Sequence, residues 1–366
     1  MKNLQSLLIT LFVLILASCS PSDSASNSNG NGGGSMGGND DDDPTPNDPW
    51  SIPVGEVRDG GPGKDGIPSI ENPMFEIASN INSLSDDELV VGIKIGDVIK
   101  AYPHHILDWH EIVNDDFDGT KTTLSYCPLT GTAFAWRSRA NNTFSTFGVS
   151  GLLYNANLIL YDRETDSNWS QILQECVNGE LLGETPTKIS VIETNWVTWK
   201  NSFPNSLVLN TNTGFDKPYG SYPYGPYKTD DDFFIFVPSP INPALPNKER
   251  VFAITSHNNN SKVYRFSDFI GGNAIRDSFF NTDYLIVGNE NIIVAFKMSG
   301  PINDLTFTYD FQDSEIFFSD NEGNKWNMFG EAIDGPRLGQ KLNPSQSVTS
   351  MWFAIAAFFP NPSIYQ

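Results

Sequence analysis

The chain has 366 residues, with 22 Lys and Arg against 44 Asp and Glu, a net charge of −22. That balance excludes nucleic acid as a partner, because phosphate binding needs clustered Lys and Arg. Four His and three Cys exclude a dense disulfide scaffold or a multi-site metalloprotein, while 39% apolar and 18% charged residues suit one to three packed domains.

The first residues read as a secretory signal. Lys2 supplies the positive charge, Leu7 to Leu16 an apolar run, and Ala17-Ser18 the small residues before Cys19. The run is too short for a permanent span, which needs about 20 residues. Leu16-Ala17-Ser18-Cys19 resembles a bacterial lipobox, which implies cleavage after residue 18 and acylation of Cys19. Several acyl chains on one residue anchor stably, at about 0.8 kcal/mol per buried CH₂. An ordinary signal peptide with a coincidental Cys is the alternative. Residues 19–49 are Ser, Asn, Gly, Asp and Pro with almost no large apolar side chain, a composition that predicts a disordered acidic tether. The block Asp40 to Asp43 resembles the acidic surface-export signals of some lipoproteins, and also fits a solvated linker. Ser20 after the Cys, by resemblance to lipoprotein sorting rules, favours the outer membrane. The expected location is the cell envelope, lipid-anchored at Cys19, with surface exposure an option.

From about residue 50 the signals are β-rich. Leu89 to Ile95 and Val98 to Tyr102 read as strands around a Gly96-Asp97 turn. Pro103 is placed to open a short helix running to about Asp108. Thr122 to Tyr126, Thr132 to Trp136 and Leu158 to Tyr161 read as further strands, with Asp118-Gly119 as a hairpin turn. Thr194 is placed to cap a helical turn bearing Trp196 and Trp199.

An internal repeat organises the rest. Trp169, Gly179, Leu182-Gly183, Pro186, Trp196 and Phe203-Pro204 recur as Trp326, Gly335, Leu338-Gly339, Pro344, Trp352 and Phe359-Pro360. Lys100-Ala101-Tyr102 matches Lys262-Val263-Tyr264, and Ala133-Phe134 matches Ala295-Phe296, both at an offset of 162. The expected fold is mainly β with short helices (α+β), two diverged tandem copies of one β-rich unit packed together. The expected divisions are a signal peptide over 1–18, the tether over 19–49, an N-terminal repeat over 50–213, a Tyr/Pro/Gly-rich bridge over 214–248 and a C-terminal repeat over 249–366.

The N-terminal copy concentrates chemistry-bearing groups. His104, His105, Asp108, His110, Glu111, Asn114, Asp115 and Cys127 lie there, while at the same offset the other copy has Phe266, Ser267, Gly272, Asn273 and Asn289 for His104, His105, His110, Glu111 and Cys127. That asymmetry fits a single site, and also drift in a structural repeat. His110-Glu111-Ile112-Val113-Asn114-Asp115, Tyr126-Cys127-Pro128-Leu129-Thr130-Gly131-Thr132-Ala133, Phe147-Gly148-Val149-Ser150-Gly151 and Tyr161-Asp162-Arg163-Glu164-Thr165 with Trp169-Ser170-Gln171 resemble the family of domain of unknown function 3179. The resemblance implies a secreted or lipid-anchored bacterial or archaeal protein and names no reaction. Many members carry Cys-Pro-Leu-Cys where this chain has Cys127-Pro128-Leu129-Thr130, so a paired-thiol redox motif is not expected.

Three readings of Cys127 and His110 stay open. They bind a soft or borderline metal, Cu or Zn, with His105 or Asp115. Or Cys127 is a nucleophile with His110 as base and Glu111 or Asp115 as the orienting group. Or Cys127 is a small core residue, or is bonded to Cys176, and His110 is structural. Asp162 within Asp162-Arg163-Glu164 invites a glycosidase-type role, against a structural turn. Ser150 lacks nucleophile-elbow spacing. Tyr219, Tyr222, Tyr224 and Tyr227 of the bridge would offer a stacking surface for a glycan or peptide, or lid the interface between copies.

Overall fold

The computed structural model describes residues 49–140, 143–256 and 260–366. The signal peptide, Cys19 and nearly all of the tether lie outside these residues. Strands dominate, joined by three short α-helices. Among the described residues no helix is long and apolar enough to cross a membrane.

The front half, residues 57–209, holds three larger sheets and a two-stranded one, Arg139–Ala140 with Thr143–Phe144. One runs Ile192–Asn195, Leu89–Ile95, Val98–Pro103, Leu207–Leu209 and Phe75–Ile77. The second runs Lys188–Ile189, Thr132–Arg137, Thr120–Cys127 and Ile112–Phe117, and the third Val57–Asp59, Phe147–Tyr154, Asn157–Asp162, Asn168–Ser170 and Glu175–Asn178. The rear half, residues 250–364, holds three sheets of four strands each. Ser347–Met351, Arg250–Ser256, Asn260–Arg265 and Ser363–Ile364 form one sheet. Asn273–Phe279, Thr282–Asn289, Ile292–Lys297 and Asn343–Pro344 form the next, and Phe307–Tyr309, Phe318–Asp320, Lys325–Trp326 and Ala332–Asp334 the last. In each half one strand pairs parallel, Leu207–Leu209 on Val98–Pro103 and Ser363–Ile364 on Asn260–Arg265. Side-chain contacts recur too. Asp115 takes Lys100 and Tyr102, as Asp277 takes Lys262 and Tyr264. Trp169 Nε1 donates to Asp162 at 3.0 Å and Trp326 Nε1 to Asp320 at 2.8 Å.

One expected match shifts. Leu124 and Thr123 face Ala135 and Trp136, as Ile286 and Leu285 face Ala295 and Phe296. In pairing register, Ala295-Phe296 thus takes the places that Ala135-Trp136 hold in the front hairpin. The front turn spans 128–131 and the rear turn only 290–291, so the front hairpin is longer by two residues. The extra length reaches the other half, where Met351 N–H donates to Thr130 O at 2.8 Å.

The local signals act as their chemistry requires. Asp118 and Gly119 both take positive φ in the two-residue turn joining Phe117 to Thr120. Helix α1 spans His104–His110, just after Pro103, which stays extended as its N-cap. Helix α2 spans Trp196–Ser202, and Asn195 rather than Thr194 caps it by accepting from Thr198 N–H at 3.2 Å. Helix α3, Trp352–Phe358, is apolar on every face and buried throughout.

The helices knit the halves together. In α2, Trp199 packs edge-on to Phe329 of the rear half, with ring centroids 6.2 Å apart. In the rear half, Phe358 of α3 packs at right angles on Tyr154 of the front, at 5.3 Å. The two largest apolar clusters each draw residues from both halves. Trp169, Trp196, Trp326 and Trp352 are all buried core. The segment between Leu209 and Arg250 has no helix or strand.

Candidate functional site

Helix α1 has seven residues and buries His104, Ile106, Leu107, Asp108 and His110. His104 and Asp108 are four apart and share a face. The helix closes at Glu111, which adopts φ 57 and sends its N–H to Leu107 O at 2.8 Å. A left-handed residue with a side chain is disfavoured by about 1–2 kcal/mol, so packing holds this turn. Glu111 itself is buried, and Tyr224 O–H donates to its Oε1 at 3.1 Å. Burial raises the Glu111 carboxyl to about 7, against the opposing hydrogen bond from Tyr224 and with help from the nearby Asp108 charge.

Beside α1 lies a cleft of about 650 Å³ whose walls include Glu88, His104, His105, Asp108, Tyr222 and Lys228. Hydroxyls of Ser83, Ser85, Thr211 and Ser221 belong to residues that line it as well. Lys228 donates to both oxygens of Asp108, at 3.0 and 2.9 Å, and stands 4.1 Å from the centre of the Tyr222 ring. Burial still raises Asp108 above the usual carboxyl range, since it outweighs the Lys228 charge. Glu88 Oε1 accepts from the His105 backbone N–H at 3.2 Å and lies 3.1 Å from His105 Nδ1. Burial works against the Glu88 charge, but these His105 contacts hold its carboxyl below the ordinary value.

A second layer supports the wall. His104 Nε2 is 3.2 Å from Glu193 Oε2, off the line of a good hydrogen bond, and Arg250 of the rear half pairs with the other Glu193 oxygen. Burial would raise Glu193, yet Arg250 and His104 hold it at about 2. The Tyr126 ring lies 4.5 Å from that of His104, and the Tyr126 hydroxyl is buried without a hydrogen-bond partner among the described residues.

The candidate residues read from the sequence divide. His104, His105 and Asp108 converge on the cleft. Cys127 does not. It is buried among apolar residues, and its Sγ donates to Ala156 O at 3.7 Å. Burial first and the Glu111 charge second push the thiol up to about 11. His110 turns elsewhere: Nδ1 lies 2.7 Å from Pro68 O and Nε2 2.6 Å from Tyr219 O–H. A carbonyl oxygen only accepts, so Nδ1 carries the proton and Nε2 of the neutral ring accepts from Tyr219. Burial lowers the His110 pKa below its ordinary value. The proposed base thus has both nitrogens occupied, and the proposed nucleophile sits protonated in a greasy core. No Cys127–His110 pair forms. Glu111 meets Tyr224 instead of orienting a histidine.

The residues of the Cu or Zn reading are likewise not brought together. Cys127, His110 and His105 each have separate partners, and the described residues contain no group of three or more His, Cys, Asp or Glu that would hold a metal. Asp115 is tied to Lys100 and Tyr102 on the strand. The expected alternative of a Cys127–Cys176 bond is not made, since both are free thiols. Asp162 accepts from Trp169 and Thr165, and Arg163 bridges Asp65 and Glu71 at 3.0 and 2.9 Å, so that stretch closes a turn. Ser150 Oγ donates to Ile159 O at 2.6 Å.

The bridge tyrosines do not form an open stacking surface. Tyr222 O–H donates to Pro128 O at 3.2 Å, Tyr224 reaches Glu111, Tyr219 reaches His110, and the Tyr227 ring is buried. Of the four, Tyr219 and Tyr222 line the cleft. Reading the sequence missed Glu88, Tyr126, Glu193, Lys228 and Arg250. Lys228, following Tyr227 in a stretch otherwise rich in Pro, Gly and Asp, was the one legible signal among them.

A family model described as "Protein of unknown function (DUF3179)" matches residues 64–362. Among curated proteins and among solved structures, none matches.

Proposed function

Given that the chain belongs to this DUF3179 family, we propose that it is a lipid-anchored envelope protein, held to the outer membrane through Cys19, whose α1 cleft binds a small polyhydroxylated ligand of the sugar class. The observation that carries the reading is the composition of one concave site. Carboxylates of Glu88 and Asp108, two imidazoles, four hydroxyl-bearing Ser and Thr residues, and Tyr219 and Tyr222 line the same cleft of about 650 Å³. Carboxylates accept from paired hydroxyls, and the two tyrosines at the edge of the cleft add apolar contact area. The volume lies in the range of small-molecule sites. A net charge of −22 disfavours anionic partners at long range and does not oppose a neutral one.

The test is titration of the protein with a panel of mono- and oligosaccharides, followed by ligand-observed NMR and calorimetry. At least one should bind saturably, and Asp108→Asn and Tyr222→Ala should each weaken it about tenfold or more. If no member of the panel binds, or both variants bind as the parent does, the cleft is not a sugar site. The anchor is tested separately: Cys19→Ala should move the protein from the membrane fraction to the soluble one and abolish labelling by a fatty-acid precursor. Matching strand orders and the recurring Lys-Tyr-Asp and Trp-Asp contacts support descent of the two halves from one duplicated β-rich unit.

A further inference from the structure

A second cavity, of about 500 Å³, opens on the seam between the halves. Its front wall includes residues 188–193, and its rear wall residues 293–297 and 344–349. The floor is apolar. Phe134, Ile189 and Val191 contribute from the front, and Phe252, Ala295 and Val348 from the rear. Four lysines border it: Lys94, Lys188, Lys297 and Lys341.

In a chain with twice as many acids as bases, four ammonium groups around one cavity are a local reversal of charge. Their carboxylate partners are few. Lys94 and Lys341, one from each half, share the single carboxylate of Glu331, at 2.6 Å each. Glu193, the one acid among the lining residues, is already held by Arg250 and His104. Among the described residues, no carboxylate forms an ion pair with Lys188 or Lys297. Lys188 is exposed and Lys297 half-buried, so both are available to a ligand.

An apolar floor below an incompletely neutralised basic rim selects a molecule with both features. A neutral polyol would leave the floor unsatisfied, and a purely inorganic anion would leave it wet. We propose that this seam cavity binds an amphipathic anion of the fatty-acid class, with its chain against Phe134, Val191 and Phe252 and its carboxylate among Lys188 and Lys297. Burial of each methylene favours binding by hydrophobic transfer, and the lysines orient the head and exclude cationic amphiphiles.

The experiment is calorimetric titration of the full chain with decanoate below its micelle concentration, with hexanoate and decyltrimethylammonium as controls. Decanoate should bind saturably near one per chain. Hexanoate should bind at least about tenfold more weakly, because four methylenes are missing, and the cation should not bind. The double variant Lys188→Ala with Lys297→Ala should weaken decanoate about fivefold to tenfold. Ser190→Glu, which places a carboxylate on an exposed lining position, should weaken it further, with thermal melting unchanged in both variants. Absence of saturable decanoate binding, equal binding of the cation, or unaltered affinity in both variants would overturn the proposal.

Discussion

Glu111 gives a measurable signature of the buried site. Burial dominates its environment, and its folded carboxyl titrates at about 7 against an ordinary value of 4.5. The sign follows from which state holds the proton more tightly. Below pH 4.5 both states are protonated, and the group costs nothing. Between about 4.5 and 7 the unfolded chain ionises while the folded one does not, so stability falls as pH rises. Above 7 both are ionised and the loss is complete, at about 3 kcal/mol. Between pH 5 and pH 8 the change from this group alone is about 2.5 kcal/mol.

Glu111→Gln keeps an acceptor for the Tyr224 hydroxyl and removes the charge. Urea unfolding of both proteins, followed by tryptophan fluorescence at pH 5 and pH 8, isolates the term. Other titrating groups cancel in the difference between the two proteins. Glu193, held at about 2, loses its contribution only as pH falls below 4.5, outside the window. His110, with its pKa lowered by burial, acts with the opposite sign below its ordinary value of 6.5. The variant should gain about 2.5 kcal/mol on the parent at pH 8 relative to pH 5. A stability difference independent of pH would refute the buried, proton-holding assignment of Glu111.

Three further outcomes follow from single contacts. Cys127 and Cys176, free but buried with pKa values pushed to about 11 and about 12, should react with a thiol reagent at pH 8 only on the timescale of unfolding, and a fast native phase would contradict their placement. Arg250→Ala strips the buried Glu193 carboxylate of its strongest partner and should destabilise by about 3 kcal/mol in urea unfolding, whereas Arg250→Met with Glu193→Gln should recover most of that. Gly92 lies against the Trp199 ring, where a Cβ would come within 1.9 Å, so Gly92→Ala should lower stability by about 1–3 kcal/mol and shift the thermal midpoint down.

The fold was largely legible because its signals are local. The β-rich run of Leu89 to Ile95, the Asp118-Gly119 turn and the Trp196/Trp199 spacing each act within a few residues, and each forms the element it predicts. The register of the second hairpin was less legible, because the 128–131 turn is two residues longer than the rear turn and breaks the offset that the preceding strands keep. The site was legible only where its residues are neighbours in sequence. His104, His105 and Asp108 share α1, so their clustering survives into three dimensions. Cys127 and His110 share no element. The strand carrying Cys127 sends its thiol into the apolar core, while the last turn of α1 sends the imidazole toward Pro68 and the bridge. No pattern in the sequence distinguishes that outcome from a paired site.

The partners of the α1 cleft also explain why neither half would serve alone. The front half supplies Glu88, His104, Asp108 and a deeply buried Glu193. Left to itself, that half would bury Glu193 opposite only one imidazole, and Arg250 from the rear half is what holds the carboxylate ionised. It would likewise leave Asp108 without Lys228 and Glu111 without Tyr224, both supplied by the bridge. Buried carboxylates without such partners neutralise or open the structure to water. The cleft therefore exists as a consequence of the association of both halves and the bridge, and its chemistry is set by contacts more than fifty residues apart in sequence. Any agent that separates the halves should dismantle the cleft before it melts the sheets of the front half.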